Sequence, residues 1–349
     1  MYIFEVQRRQ PKIRRRVGDY LKHTMMKQIF LKKSVISILS LTLFISCRTQ
    51  LPPEPYTQEE TGMGIARITD ENISVETGRS SSYKGVAVPT CRLFSISPKG
   101  DYFAFLSRVN EKSVACIRKT GDTGSQLTQR TFRSTSSLSW GSDGKIYFSD
   151  NSDGTNNQYI SSVNALAGSI IKQYSSGNDD CNPILSKDGK KLFFERASIG
   201  KTPYIWCYDI STASLLQCCE GSCPYPIDKN GNKLLLSRKH GETYAIWIVD
   251  YEKGEESMLL SSEEQNFVQP TLSPNGEWIL LTSNVYSPTS KQQQLDIYCV
   301  KKDGSNLTKL TSHPADDQCP IWSADGKYIY FISNRASKKN GIWRMNFTL

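Results

Sequence analysis

The chain has three histidines in 349 residues, and one of them, His23, lies in its leader. The other two, His240 and His313, are far apart, and no C-x-x-C pair occurs among the ten cysteines. A zinc site with the usual His and Cys spacing is therefore not expected, nor is any other metal or cofactor. A Ser-His-Asp arrangement has little to build on. No G-x-S-x-G elbow is present, which removes the strand–turn–helix signature of a serine hydrolase. His313 reads as part of the loop SHPADD. The stretch DNSDGTNN at 150–157 lacks the spaced oxygen ligands and terminal Glu of an EF-hand, so it reads as a solvated hairpin tip.

Charge of one sign is scarcer than the total suggests. The formal net charge is +9, but residues 1–46 hold ten of the 43 Lys/Arg and two of the 34 acids. The rest carries 33 basic against 32 acidic residues, which excludes a broad nucleic-acid surface.

Long hydrophobic runs are missing too. The longest apolar stretch near the N-terminus, Ser34 to Ser46, has thirteen residues. A spanning helix needs about 20. Lys27, Lys32 and Lys33 precede it, as in a secretory signal with an h-region. It ends Leu43-Phe44-Ile45-Ser46-Cys47, which resembles a bacterial lipobox with Phe44 where Leu is usual. That resemblance implies cleavage before Cys47 and acylation of its thiol. Met25-Met26 is a natural start for such a signal, so residues 1–24 read as an upstream extension from a misassigned start codon. Residues 25–46 are then the signal peptide, and 47–61, polar with three prolines, a tether.

What remains, 62–349, is repetitive. Six segments combine a short strand, a Gly-containing turn and an apolar or alternating strand. Examples are SISPKGDYFAFLS from Ser95, TLSPNGEWILLTS from Thr271 and IWSADGKYIYFIS from Ile321. The turn glycines, Gly100, Gly144, Gly189, Gly231, Gly276 and Gly326, are spaced 42 to 50 residues apart. A third strand follows in each unit (YIWCYD, AIWIVD, DIYCVK), and a weaker fourth ends most of them. Four strands per repeat predicts an all-β, six-bladed β-propeller of four-stranded antiparallel blades. The last unit stops at Leu349 after its third strand, and GMGIARIT at Gly62 is similar to the fourth-strand segment GSNLTKLT. Ile65 to Thr69 is therefore expected to supply the missing strand and close the ring.

LDIYCVKKDGSNLTKLT at 295–311 and DDQCPIWSADGKYIYFISNRASKKNGIWRMN at 316–346 resemble the TolB-type WD-like repeat family. The resemblance covers about residues 90–349. It implies the TolB propeller, with two departures: a short tether stands where TolB carries an α/β domain, and the lipobox-like leader points to a lipid-anchored form where TolB is soluble. It further implies an envelope protein or peptidoglycan-associated component as partner, on the periplasmic or extracellular face. The expected protein is monomeric and is a binding or scaffold module rather than an enzyme. A lyase- or lactonase-type propeller enzyme, or a glycan-binding module working at the channel mouth, stays open.

Asp179-Asp180 and Asp316-Asp317 occupy one place in two repeats, just before the innermost strand. Loops there share a rim with those beginning at Arg108, Arg196, Arg238 and Arg335, and with the long insertion that carries Tyr286. These residues form either a charged ring that receives a partner or pairs that pin neighbouring loops. Cys116, Cys207 and Cys299 share a register in non-neighbouring blades and read as buried free thiols. Cys91 with Cys319, and Cys181 with Cys223, precede inner strands of adjacent blades, where cross-blade disulfides are conceivable; Cys218-Cys219 leaves the connectivity open.

Overall fold

The computed structural model describes residues 57–60, 63–69, 74–75, 82–83, 86–87, 91–109, 112–120, 130–132, 137–150, 157–164, 170–196, 202–285, 294–336 and 339–348. Cys47, the leader and Tyr286 lie outside them. Every regular element among the described residues is a strand. In each repeat the glycine of the first turn sits at φ between 73° and 80°, the left-handed backbone that a tight hairpin needs. A serine at the end of the inner strand fixes four of these turns. The hydroxyls of Ser97, Ser186, Ser273 and Ser323 accept the N–H of Tyr102, Lys191, Trp278 and Tyr328 at 2.9–3.0 Å.

The strands assemble into six antiparallel sheets that follow the repeats. The third blade, for example, pairs Asp180–Leu185, Lys191–Arg196, Tyr204–Asp209 and Ser214–Glu220 in chain order. A separate small hairpin pairs Ser82–Tyr83 with Val86–Ala87.

The core is divided among the interfaces between blades. Among the described residues there are six hydrophobic clusters, and each joins two consecutive blades. Strand alternation produces this. In Trp278–Val285, Ile279 and Leu281 face the fourth blade beside Leu235 and Ile246, while Leu280 faces the sixth beside Trp322 and Phe331. Both faces of a blade are thus apolar, and a blade is stable only between neighbours.

The expected closure is present. Met63–Arg67 runs antiparallel to Gly341–Asn346, with Ile65 opposite Met345 and Arg67 opposite Trp343. Ile68 N–H continues the ladder to the Ile342 carbonyl at 2.8 Å, and the Thr69 hydroxyl accepts the Ile342 N–H at 3.0 Å. A fifth strand, Thr57–Glu60, adds to the outer side of Met63–Arg67 and falls within the stretch read as tether.

Candidate functional site

The loop rim is held together by the residues that the sequence singled out. Asp180 begins an inner strand and pairs with Arg196 at the end of the next strand, Oδ1 to Nε 2.7 Å. The Arg196 guanidinium also lies 4.2 Å from the centre of the Trp206 ring. Three blades on, Asp317 pairs with Arg335 at 2.5 Å, both side chains fully buried, and Arg335 lies over Phe331 and Trp343. The preceding aspartates reach the previous blade. Asp179 accepts the Gln158 N–H at 3.0 Å and Asp316 the Leu295 N–H at 3.2 Å. The backbone N–H groups of Asp180 and Asp317 donate to the carbonyls of Gln158 and Leu295.

Each Asp-Asp step is therefore a clamp. One carboxylate and one amide grip the blade behind, and the second carboxylate locks its own hairpin. Burial pushes the Asp180 carboxyl up, with Arg196 and Ser176 pulling it back. Arg238 has no aspartate partner and makes a two-pronged pair with Glu256, at 2.7 and 3.0 Å. The side chain of Arg108, like Tyr286, lies outside the described residues.

A second constellation sits at the axis. Arg92, Asn182, Cys223, Gln269 and Cys319 hold the same place in five blades, all with φ between 54° and 57°. For non-glycine residues this backbone costs about 1–2 kcal/mol each. Four of the five precede a proline. The ladders are interrupted at these steps, as in β-bulges. The bulges lead to bonds between blades. Asn182 N–H donates to Ser137 Oγ at 2.9 Å, Cys223 N–H to Glu195 Oε1 at 2.6 Å, and Cys319 N–H to Gln269 Oε1 at 2.9 Å.

Two links cross between the first blade and those opposite it. Arg92 donates to the carbonyls of Pro224 and Asn182 at 2.7 and 2.8 Å. Cys91 is disulfide-bonded to Cys223 of the fourth blade, with Cα atoms 5.6 Å apart. This corrects the adjacent-blade pairings considered from the sequence. Cys181 and Cys319, like Cys116, Cys207, Cys218, Cys219 and Cys299, carry thiols and are not disulfide-bonded. The reason is radial: at the inner ends of the blades, opposite walls come within disulfide reach.

Glu195 also belongs to this floor and was not singled out in the sequence. It is fully buried, and burial pushes its carboxyl up to about 7, against the opposing pulls of the Cys223 N–H, Arg92 and Asn182. Burial likewise lowers the Arg92 guanidinium to about 10. The signal that could have located this floor is the residue–proline step within the inner strand: Asn182-Pro183, Cys223-Pro224, Gln269-Pro270 and Cys319-Pro320.

Beyond the floor, toward the hairpin turns, the channel widens into a cup of about 370 Å³ lined by all six blades. Its wall combines apolar and aromatic residues, among them Phe94, Trp140, Tyr225 and Trp322, with Ser95, Ser139, Ser186, Ser273 and Ser323. Among the described residues, its lining includes two cations, Arg92 at the base and Lys187 at the mouth, and no carboxylate. The cup opens on the end of the propeller opposite the clamped loop rim, since its residues end the inner strands that Asp180 and Asp317 begin.

No protein-family model matches the chain. It is 25% identical over 208 residues to the uncharacterised peptidase YuxL of Bacillus subtilis, covering 47% of this chain and 32% of that one. It is 27% identical over 145 residues to an uncharacterised protein of Agrobacterium fabrum, covering 42% and 44%. The matches thus span less than half the length of these relatives. Among solved structures, TolB from Acinetobacter baumannii superposes with a TM-score of 0.56 at 19% identity, over 72% of this chain and 65% of that one. An oligogalacturonate lyase from Vibrio parahaemolyticus superposes with a TM-score of 0.58 at 10% identity, over 84% and 96%. At these identities the likeness is one of architecture. The chain has the six-bladed fold of the TolB propeller.

Proposed function

We propose that the chain is a binding propeller of the bacterial cell envelope that receives a segment of a protein partner in the cup, while Cys47 tethers it to the membrane through lipid. The observation that carries this reading is the asymmetry of the channel. Its floor is crossed by Arg92 and the Cys91–Cys223 bond, and its other end opens into a cup lined by all six blades. A cup of this size, apolar with a few oriented polar groups, suits a small ligand or a few inserted side chains. Lys187 at its mouth favours a segment that carries a carboxylate, from an acidic side chain or a chain end. The rim residues Asp179, Asp180, Asp316 and Asp317 are engaged in clamps, so in this reading they support the channel walls and the cup mouth does the docking.

The test is capture of envelope proteins by the purified propeller. Trp140→Ala combined with Lys187→Glu should abolish capture of the specific partner, and raised salt should weaken it in the wild type. Glu242→Lys, on the loop rim, should leave it intact. Capture unchanged in the cup variant would sink the reading. A cation-dependent breakdown of an acidic oligosaccharide, lost in the same cup variant, would replace it with the lyase-type alternative.

A further inference from the structure

We propose that the channel floor is a redox-switched cation site, in which Cys91, Cys223 and Glu195 bind one thiophilic divalent ion of the zinc class once the disulfide is reduced. The sulfur atoms of Cys91 and Cys223 and a carboxylate oxygen of Glu195 all lie within 4.8 Å of one another. All three residues are buried. Glu195 adds an independent observation. Its Oε1 accepts the Cys223 N–H at 2.6 Å and Asn182 Nδ2 at 2.8 Å, while its Oε2 is buried without a hydrogen-bond partner. A buried carboxylate oxygen left unsatisfied is costly, and a cation is one of the few partners that fits it.

A void of about 10 Å³ borders the disulfide, and Cys91, Cys223 and Cys319 are among the residues that line it. Charge also closes. Two thiolates and a carboxylate are balanced by one divalent ion and the Arg92 guanidinium, which stays inside the floor. Thiolate with carboxylate is a donor set for zinc rather than for magnesium or calcium. The sparse histidine of the chain does not bear on it, because no nitrogen ligand is needed.

The switch balances as follows. An external dithiol gives two electrons and two protons to the Cys91–Cys223 bond and leaves as its own disulfide. The ion then displaces the two thiol protons to solvent. Reoxidation by a disulfide reverses both steps and expels the ion. In the oxidised state the floor is stapled across the channel; in the reduced, metal-loaded state the same two blades are joined through the ion.

The experiment uses the full chain, reduced with a phosphine under anaerobic conditions, desalted and titrated with Zn²⁺ against a chromophoric chelator, with Co²⁺ as the spectroscopic probe. The reduced wild type should bind one more equivalent of Zn²⁺ than the oxidised protein and give a thiolate-to-cobalt charge-transfer band. Cys91→Ser and Cys223→Ser should lose that equivalent and the band. Glu195→Gln should keep the disulfide but weaken Zn²⁺ at least tenfold, whereas Cys218→Ser should change neither. Equal Zn²⁺ uptake by the oxidised and reduced wild type, a comparison that needs no variant, would overturn the site. So would a cobalt band that persists in Cys91→Ser.

Discussion

Ile65 is the residue through which the two ends of the propeller are joined. It is fully buried in a cluster with Leu280, Trp322, Phe331, Trp343 and Met345, on a strand more than 270 residues before the one it pairs with. Ile65→Ala removes a well-packed side chain and should cost about 2–5 kcal/mol. In a domain of this size that lowers the melting temperature by about 4–10 °C, since larger domains shift by about 2 °C or a little more per kcal/mol. A cavity alone would do the same anywhere in the core, so the closure claim needs a second observation. Removing residues 1–69 takes away both Thr57–Glu60 and Met63–Arg67 and leaves Gly341–Asn346 as an open edge with Trp343 and Met345 uncovered. That protein should associate in a concentration-dependent way, as unpaired edges do. Calorimetry and light scattering over a range of concentrations read both effects, with removal of residues 1–55 as the reference that keeps the two strands. A protein lacking residues 1–69 that stays monomeric and melts with the reference would refute the reasoning.

The two kinds of rim pair should separate by burial. Asp317→Asn breaks a pair buried on both sides and should cost about 3–5 kcal/mol in denaturant unfolding, whereas Glu256→Gln, opposite Arg238 at the surface, should cost about 0–1. Peptide mapping without reductant should recover Cys91 joined to Cys223 and not to Cys319, and Cys223→Ser should lower stability by about 2–4 kcal/mol. In the oxidised, chelator-treated protein, Glu195 has its folded pKa of about 7 above the unfolded 4.5. Its contribution is therefore full below the unfolded value and is lost as pH rises through the folded one, about 3 kcal/mol over that window. The melting temperature should fall between pH 5 and pH 8, by about that equivalent, and Glu195→Gln should flatten the profile. Fatty-acid labelling should mark the wild type and not Cys47→Ser.

The ring and its closure were legible because their signals are local and recur. A turn glycine at fixed phase, flanked by residues that bury on both faces, marks each hairpin, and GMGIARIT at Gly62, similar to the fourth-strand segment GSNLTKLT, marks the strand that closes the ring. The rim clamps were half legible. Asp180 and Arg196, like Asp317 and Arg335, stand at opposite ends of one hairpin, and antiparallel register brings them together. Their capture of Gln158 and Leu295 depends on the neighbouring blade and is invisible along the chain. The floor was missed because position in a repeat gives the blade and the height but not the distance across the axis. Cys91 and Cys223, assigned by height to different adjacent blades, meet across the axis with Cα atoms 5.6 Å apart. Glu195 looked like one more polar residue at the end of a strand; its partners, Cys223 and Asn182, come from two different inner strands.

In the proposed function the partner enters the cup and not the loop rim. A photoreactive phenylalanine analogue placed at Lys187, on the cup mouth, or separately at Glu242, on the loop rim, tests it in intact cells. Position 187 should yield a crosslinked envelope protein whose attached peptide carries an acidic residue or its own C-terminus, and position 242 none. The same protein crosslinked from position 242 and not from 187 would contradict it.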